Sequence, residues 1–287
     1  MNAKTKRDEP MANHTTFKIG GVAALFLVPT TEAELSEALR RHPSALILGG
    51  GSNLLVSDAG VGAVISMEGF DSISSVAAPD GAAEVTVGAG RGFTALSRYA
   101  LKRSLTGLEF AFGIPGSVGG AVVMNAGAFG GEVKDGLAGA RLLADGRFED
   151  VGPERLGLSY RSSALPKGAV VVSATFRLRP GSRDEIQKRM TGSLSQRKEK
   201  QPLELPSAGS VFKNPPGMFA GKILEELGLK GLRVGDAQIS QKHANFIVNL
   251  GGATAAQVLA LVEKAEAAAL GAGIRLEREI KLAGSFN

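Results

Sequence analysis

The chain has 287 residues, of which 39 are glycine and none is cysteine, and its formal net charge is +5. The missing thiols exclude disulfides, cysteine nucleophiles and cysteine-ligated metals, and the three scattered histidines argue against a histidine metal site. Basic residues are mixed with acidic ones and lack aromatic neighbours, which favours small anionic ligands over nucleic acid. No apolar run reaches the roughly 18 residues of a membrane helix. The polar N-terminus lacks a signal-peptide core, so we expect a cytoplasmic protein.

Local patterns in the first half of the chain predict both strands and helices. Thr31 and Glu34 form a capping signal for a helix through Arg41. An Asp145-Gly146 turn predicts a hairpin. The predicted strands are 22–28, 45–50, 63–67, 84–87, 138–144 and 147–151, and a second helix is predicted over 93–103.

The second half has its own α/β rhythm after a boundary at Pro202 and Pro206. The last predicted strand, 274–282, has period two, with Ile274, Leu276, Ile280 and Leu282 on one face. The other elements predicted here and just before the boundary are strands 169–178, 210–213 and 245–249 and helices 184–200, 220–227 and 254–270. The class is α+β.

The segment from Gly113 to Gly131 holds seven glycines, one proline and no charged residue. Its glycine content disfavours a regular helix or strand, and its apolar members disfavour a solvated linker. We predict a loop whose bare backbone lies against a bound cofactor.

A second glycine motif, Gly49-Gly-Gly-Ser-Asn53, follows a predicted strand. Its consecutive N–H groups suit a phosphate, although a tight strand–loop turn explains it as well. Neither this motif nor Gly88-Ala-Gly90, which has Phe93 where a third glycine belongs, has the spacing of a Rossmann fingerprint or a P-loop.

Several polar residues could carry chemistry. Ser210 could donate a proton while Lys213 and Asn214 hold an anionic substrate, or the three could form an ordinary turn. Tyr160-Arg161 could grip a carboxylate or cap a surface. Glu279 could be an acid or a solvated strand residue, and His243 is predicted to be structural.

Taken in order along the chain, these motifs resemble the UDP-N-acetylenolpyruvoylglucosamine reductase family. The resemblance covers nearly the whole chain, and its eight-residue blocks make a chance match negligible. Position 281 is Lys where some members have Arg, and the compact stretch 160–178 resembles the shorter branch of the family, which lacks an insertion bearing an extra Tyr. The matching segments are 14–21, 49–53, 113–120, 124–130, 160–163, 208–215, 242–249 and 276–281.

The resemblance implies a two-part FAD-binding fold of the vanillyl-alcohol-oxidase type plus a C-terminal α/β substrate domain. The implied parts are 1–69, completed by a strand at 274–287, then 70–199 and 200–273. It also implies that NADPH reduces FAD and that hydride then passes from flavin N5 to C3 of UDP-N-acetylglucosamine enolpyruvate. The product is UDP-N-acetylmuramate, a peptidoglycan precursor. No metal, membrane or nucleic acid takes part.

The resemblance implies a role for each site residue. Ser210 would protonate C2, while Arg161 and a protonated Glu279 would flank the carboxylate. The implied substrate contacts are Tyr160, Lys213 and Asn214. The implied FAD contacts are Gly49, Gly50, Gly51, Ser52, Asn53, Gly113, Ile114, Pro115, Gly116, Ser117, Gly119, Gly120, Asn125 and Gly127. Two alternatives stay open: a flavin oxidase acting on an alcohol, and a binding module without catalysis.

Overall fold

The computed structural model describes residues 3–286. The chain forms two compact units. The first unit contains residues 27–50 and 64–197 together with the start of the chain. The second contains 6–26, 51–63 and the chain from 198 onward. The three-part division expected from the sequence stays a prediction.

Helices lie in both units. The predicted cap of the first helix is present, because Thr31 Oγ1 accepts a hydrogen bond from the Glu34 N–H at 3.2 Å. The α-helices of the described residues are α1 (Glu32–Arg41), α2 (Phe93–Lys102), α3 (Val118–Val123), α4 (Pro153–Leu156), α5 (Arg183–Lys200), α6 (Ala220–Glu226) and α7 (Ala255–Gly271).

Most strands are short. Those of the described residues are β1 (Lys4–Pro10), β2 (Val22–Val28), β3 (Leu46–Leu48), β4 (Leu54–Val56), β5 (Val61–Ser66), β6 (Ile73–Ala77), β7 (Ala83–Gly88), β8 (Leu105–Thr106), β9 (Gly127–Ala128), β10 (Gly131–Glu132), β11 (Leu137–Ala144), β12 (Arg147–Val151), β13 (Val170–Pro180), β14 (Ser207–Ser210), β15 (Arg233–Val234), β16 (Ala237–Ile239), β17 (Phe246–Asn249) and β18 (Lys281–Ala283).

An antiparallel sheet forms the centre of the first unit, in the order β12-β11-β13-β7-β6. The predicted hairpin is confirmed, since Ala144 pairs with Arg147 across the turn. In the long central strand β13, Ala174, Phe176 and Leu178 are buried and Arg177 points outward. This alternation follows from the two-residue period of a strand, and it leaves an apolar face against which α3 packs.

A second antiparallel sheet, in the order β14-β17-β16-β15, forms the second unit. Its core contains Phe212, Leu224, Ile247 and Leu261, so α6, α7 and the sheet share one hydrophobic cluster. In the same unit β18 pairs in parallel with β4, with Leu282 opposite Leu55. The last strand of the chain therefore pairs with a strand from the first quarter of the sequence.

The prediction that the glycine-rich segment is a loop is wrong for 118–123, which form α3. Ser117 caps this helix by accepting a hydrogen bond from the Gly120 N–H. Gly119 is needed for packing, because a Cβ there would lie 2.8 Å from the Cβ of Ala89. Tertiary packing thus overrides the low helix propensity of glycine.

The predicted strand 274–282 is also largely wrong. Only 281–283 form a strand, and before them Arg278 makes an isolated bridge to Phe212. Because the segment changes partner around Ile280, its inward face changes as well: Ile280 is buried but Leu282 is 39% exposed. The strand predicted at 210–213 likewise ends at Ser210.

Candidate active site

The two glycine motifs touch each other within the first unit. A Cβ on Gly50 would lie 2.5 Å from the Cα of Gly116, and one on Gly49 would lie 2.5 Å from Ser117 Oγ. A side chain at Gly50 would require the opposite backbone to move, and one at Gly49 would require the Ser117 hydroxyl to move. The turn after β3 is therefore stacked on the N-terminus of α3.

Beside this contact the first unit presents an uncharged, nearly side-chain-free surface. Pro115 and Gly120 are exposed, and Val123 is 39% exposed on the same short helix. A Cβ on Gly120 would meet only Ser117 Oγ, at 3.6 Å, so the bare backbone here is open rather than packed. Such a surface fits a planar, partly apolar cofactor.

Asn125 organises this region from inside. Its side chain is buried, and its Nδ2 donates to Glu132 at 2.7 Å and to the Ser159 carbonyl at 3.0 Å. Its Oδ1 accepts from the Lys134 N–H at 3.0 Å. Both N–H donors of the amide and one acceptor position of its oxygen are thus used within the protein. The side chain of Asn125 thus ties two loops together, and its contact with FAD stays a prediction.

Tyr160 and Arg161 occupy a tight turn that Asn125 anchors. Reciprocal backbone hydrogen bonds of 3.0 and 3.1 Å between Ser159 and Ser162 close the turn. Arg161 has a φ of 51°, which is a left-handed backbone conformation. This conformation costs energy for residues other than glycine, and such residues are concentrated at functional sites. Its Nη2 donates to the Gly127 carbonyl at 2.8 Å. The two predicted residues are therefore brought to the edge of the glycine-rich segment.

Arg197 is a residue that sequence reasoning missed. It is 9% exposed, and its guanidinium lies 5.7 Å from the ring centroid of Phe129. Burial, together with the charge of Arg161, lowers the pKa of the Arg197 guanidinium. In the sequence it is one of several basic residues in a polar helix, and no local signal distinguishes it. The positive charges of Arg161 and Arg197 together favour a carboxylate or phosphate as a ligand.

In the second unit, the backbone segments that carry the predicted catalytic residues Ser210 and Glu279 lie side by side. The Glu279 N–H donates to the Val211 carbonyl at 2.8 Å, and the Lys213 N–H donates to the Glu277 carbonyl at 2.8 Å. Asn53 joins them, since its Nδ2 donates to the Glu279 carbonyl at 3.0 Å. Three positions far apart in sequence are thus held next to one another by these hydrogen bonds.

Lys213 and Asn214 also have defined contacts. Lys213 Nζ forms a 2.6 Å ion pair with Glu277, which is largely exposed. An anionic ligand could replace so exposed a partner at little cost. Asn214 Oδ1 accepts from the Ala220 N–H at 3.0 Å, at the start of α6.

Gly51 lies against the N-terminal part of the second unit. A Cβ there would overlap the carbonyl oxygen of His14, and the Gly51 carbonyl accepts from the Thr16 N–H at 3.1 Å. The neighbouring Ser52 and Asn53 are half-buried. The third glycine of the motif is therefore required by a close backbone approach. The predicted contacts thus divide, Gly49 and Gly50 lying in the first unit and Gly51 to Asn53 in the second.

His243 was expected to be structural, and its contacts agree with that role. Its Nδ1 accepts from the Asn245 N–H at 3.2 Å, and its ring meets Phe246 edge-on. Burial, with a smaller effect of the Lys230 ammonium, lowers the pKa of its imidazole. Folding therefore favours the neutral ring.

This lowered pKa predicts a pH-dependent stability. The unfolded chain binds a proton at His243 near its ordinary pKa of about 6.5, whereas the folded chain binds it only at lower pH. Between those two pKa values the free energy of unfolding must decrease as pH decreases. We expect His243→Asn, which keeps an acceptor near Nδ1, to flatten this slope in urea unfolding from pH 8 to pH 5. An identical slope in the variant would contradict the assignment.

Within residues 3–286 no group of three or more histidine or acidic side chains is arranged to bind a metal. No helix of that range is long and apolar enough to cross a bilayer.

Comparison with known proteins identifies the class first. Residues 23–152 match the model of an FAD binding domain. The open glycine surface of α3 lies inside this range and fits that cofactor. The protein is an FAD-containing oxidoreductase.

Its family is equally clear. Residues 201–283 match the model of the UDP-N-acetylenolpyruvoylglucosamine reductase C-terminal domain. The chain is 48% identical to the reductase of that name from Agathobacter rectalis, over 98% of this chain and 94% of the relative. It is 44% identical to that of Heliobacterium modesticaldum, over 97% and 90%. The chain belongs to the UDP-N-acetylenolpyruvoylglucosamine reductase family.

A solved structure supports the same assignment at the level of the fold. The crystal structure of UDP-N-acetylenolpyruvylglucosamine reductase from Thermus caldophilus superposes with a TM-score of 0.84 at 39% identity. The match covers 98% of this chain and 99% of that one. The expected combination of an FAD-binding fold and a C-terminal domain is confirmed.

Proposed function

We propose that the protein reduces UDP-N-acetylglucosamine enolpyruvate to UDP-N-acetylmuramate with NADPH as the reductant, in the cytoplasmic synthesis of peptidoglycan precursors. The observation that carries this proposal is the pairing of the Ser210 and Glu279 segments, inside a domain whose family is defined by this substrate. The names of the relatives support the substrate, and the positive surplus suits its diphosphate.

When bound, FAD would supply the hydride-transfer chemistry that links NADPH to C3 of the enol ether. We propose that the glycine backbones at 49–51, 113, 116, 119, 120 and 127 hold it, together with Ile114, Pro115, Ser117, Ser52 and Asn53. The open face at Gly120 supports this assignment. The backbone rather than the amide of Asn125 would contribute.

The developing charge of the reaction explains the arginines. Hydride addition at C3 leaves negative charge on C2 and its carboxylate, and preorganised donors must stabilise that charge. Arg161 acts as the cationic clamp, and buried Arg197 adds positive potential. Glu279, as a protonated acid, donates to the same carboxylate.

Ser210 is proposed to donate the proton that C2 needs. A hydroxyl is a weak acid, but a carbanion-like carbon is a strong enough base to accept its proton. Lys213 binds the diphosphate, and Asn214 and Tyr160, which is 49% exposed, contact the substrate.

The proposal is tested by following the flavin spectrum under anaerobic conditions. The FAD-loaded protein is expected to bleach when NADPH is added. Its colour should return when the enolpyruvyl UDP-sugar is then supplied, with one UDP-N-acetylmuramate formed per flavin. UDP-N-acetylglucosamine, which lacks the enol ether, serves as the control and should leave the flavin bleached. A reduced flavin that stays bleached with the enolpyruvyl substrate, but reoxidises on adding oxygen, would refute the proposal.

A further inference from the structure

One edge of the main chain between Ser210 and Lys213 is held by a single residue, the buried Asn245. Asn245, which is 3% exposed, accepts from the Phe212 N–H with Oδ1 at 2.9 Å. Its Nδ2 donates to the Phe212 carbonyl at 2.8 Å. Its own main-chain carbonyl accepts from the Val211 N–H at 2.9 Å. One residue thus forms three hydrogen bonds with two consecutive residues of this segment.

The segment needs such a partner because the sheet ends there. Strand β14 pairs with β17 at Ser207 and Ser210, and an irregularity at left-handed Gly209, with a φ of 75°, shifts the register between them. Beyond Ser210 the chain leaves the ladder. The Asn245 amide then takes the place of a strand, offering one donor and one acceptor to Phe212.

The opposite edge of the same segment is occupied by the chain at Glu277–Glu279, through the hydrogen bonds of Val211 and Lys213 described above. Arg278, in the middle of that chain, is fixed by a bidentate ion pair of 2.6 and 2.5 Å to Glu266 on α7. Asn245 is itself held, because its N–H donates to His243 Nδ1. The segment is therefore clamped from two sides by residues that are themselves fixed.

We propose that Asn245 is a positioning residue for proton transfer, setting where Ser210 stands relative to the substrate. The inference rests on the proposed function, since it assigns Ser210 as the proton donor. A donor must lie within hydrogen-bond reach of the carbon it protonates, and a displacement of about 1 Å can cost about 100-fold in rate. The amide acts through the backbone and contacts no substrate.

The chain offers a matched control in Asn249. It lies at the end of β17, is equally buried at 3%, and also bonds main-chain groups: its Nδ2 donates to the Phe17 carbonyl at 3.1 Å, and its Oδ1 accepts from Gly251 at 2.8 Å. Asn245→Asp and Asn249→Asp therefore remove the same donor and introduce the same buried carboxyl. Only the first change faces the Ser210 segment. Asn245→Ser replaces Asn245→Asp if the aspartate variant does not fold with FAD.

The test measures the two half-reactions separately by anaerobic stopped flow. For Asn245→Asp or Asn245→Ser we expect substrate-driven flavin reoxidation to slow about 10- to 100-fold with a larger solvent deuterium isotope effect. Flavin reduction by NADPH should stay within about twofold of the parent rate. Asn249→Asp should leave both half-reactions within the same about twofold range. Reoxidation at the parent rate in the Asn245 variants, or equal slowing in Asn249→Asp, would overturn the inference.

A double variant shows whether Asn245 acts through Ser210. If it does, Ser210→Ala combined with Asn245→Ser should be no slower than Ser210→Ala alone, because the proton donor is already absent. If the double variant is slower than Ser210→Ala by the factor that Asn245→Ser causes alone, Asn245 does not act through Ser210.

Hydrogen exchange separates this inference from the proposed function, because it needs no substrate. The Phe212 N–H, whose acceptor is the Asn245 side-chain oxygen, should exchange at least about tenfold faster in Asn245→Ser than in Asn249→Asp. If the parent flavin is not reoxidised by the enolpyruvyl substrate, the proposed function fails. The exchange rates still test whether Asn245 holds the segment after Ser210, and unchanged exchange would overturn that inference.

Discussion

Ser210→Ala is expected to slow substrate-driven flavin reoxidation by about 10²- to 10⁴-fold, the range typical of a lost general acid. The variant removes only the hydroxyl, while the backbone bonds of Val211 and Phe212 that shape the segment remain. FAD binding and reduction by NADPH should be retained, because the proton is required only after hydride has reached C3. Stopped-flow absorbance of the flavin, with product analysis, measures both steps.

Ser207→Ala is the matched control for this prediction. Ser207 lies at the other end of β14, and its carbonyl, not its side chain, accepts from Thr16. Loss of the Ser207 hydroxyl should leave both half-reactions at the parent rates. A Ser210→Ala protein that forms product at the parent rate would remove Ser210 from the mechanism and leave the proton donor to be sought elsewhere.

Arg161→Met is expected to lower kcat by about 10²- to 10³-fold, comparable to the loss of one preorganised donor to a developing anion. The turn itself should persist, because reciprocal Ser159–Ser162 hydrogen bonds and the Asn125 amide hold it. The visible spectrum should therefore report a full complement of FAD. Steady-state turnover at saturating substrate gives the loss in kcat.

Arg155→Met provides the comparison in the same unit. Arg155 is exposed on α4, and its contact is a 3.4 Å ion pair with Glu149, of the kind that contributes little. The kcat of Arg155→Met should match that of the parent protein. Equal losses in both variants would mean that positive charge on the unit, rather than Arg161 at its turn, supports the reaction. An unchanged kcat in Arg161→Met would remove the proposed clamp.

Elements with a strong local signal were predicted well. The capping signal at Thr31 and the Asp145-Gly146 turn each depend on a few neighbouring residues, and α1 and the β11–β12 hairpin are found where expected. Segments whose structure depends on distant partners were not. The period-two pattern at 274–282 predicts a single strand, yet those residues pair first with the Phe212 segment and then with β4, so their faces change.

The site residues show the same division. Arg161, Ser210 and Glu279 were found because motifs carry them, although their roles stay proposals. Arg197 and Asn245 were missed, because their significance arises from burial and from contacts with residues many positions away. Conversely, Asn125 belongs to a motif, but both N–H donors of its amide are used inside the protein.

Order and chemistry along the chain are enough to assign the family, the cofactor and the α+β class, since motifs and short-range propensities are local properties. The exact burial of a guanidinium, the direction of an amide and the partner of an extended segment depend on packing between residues distant in sequence. Those long-range contacts made α3 a helix despite its glycines, and they made the Asn245 amide the support of one edge of the Ser210 segment.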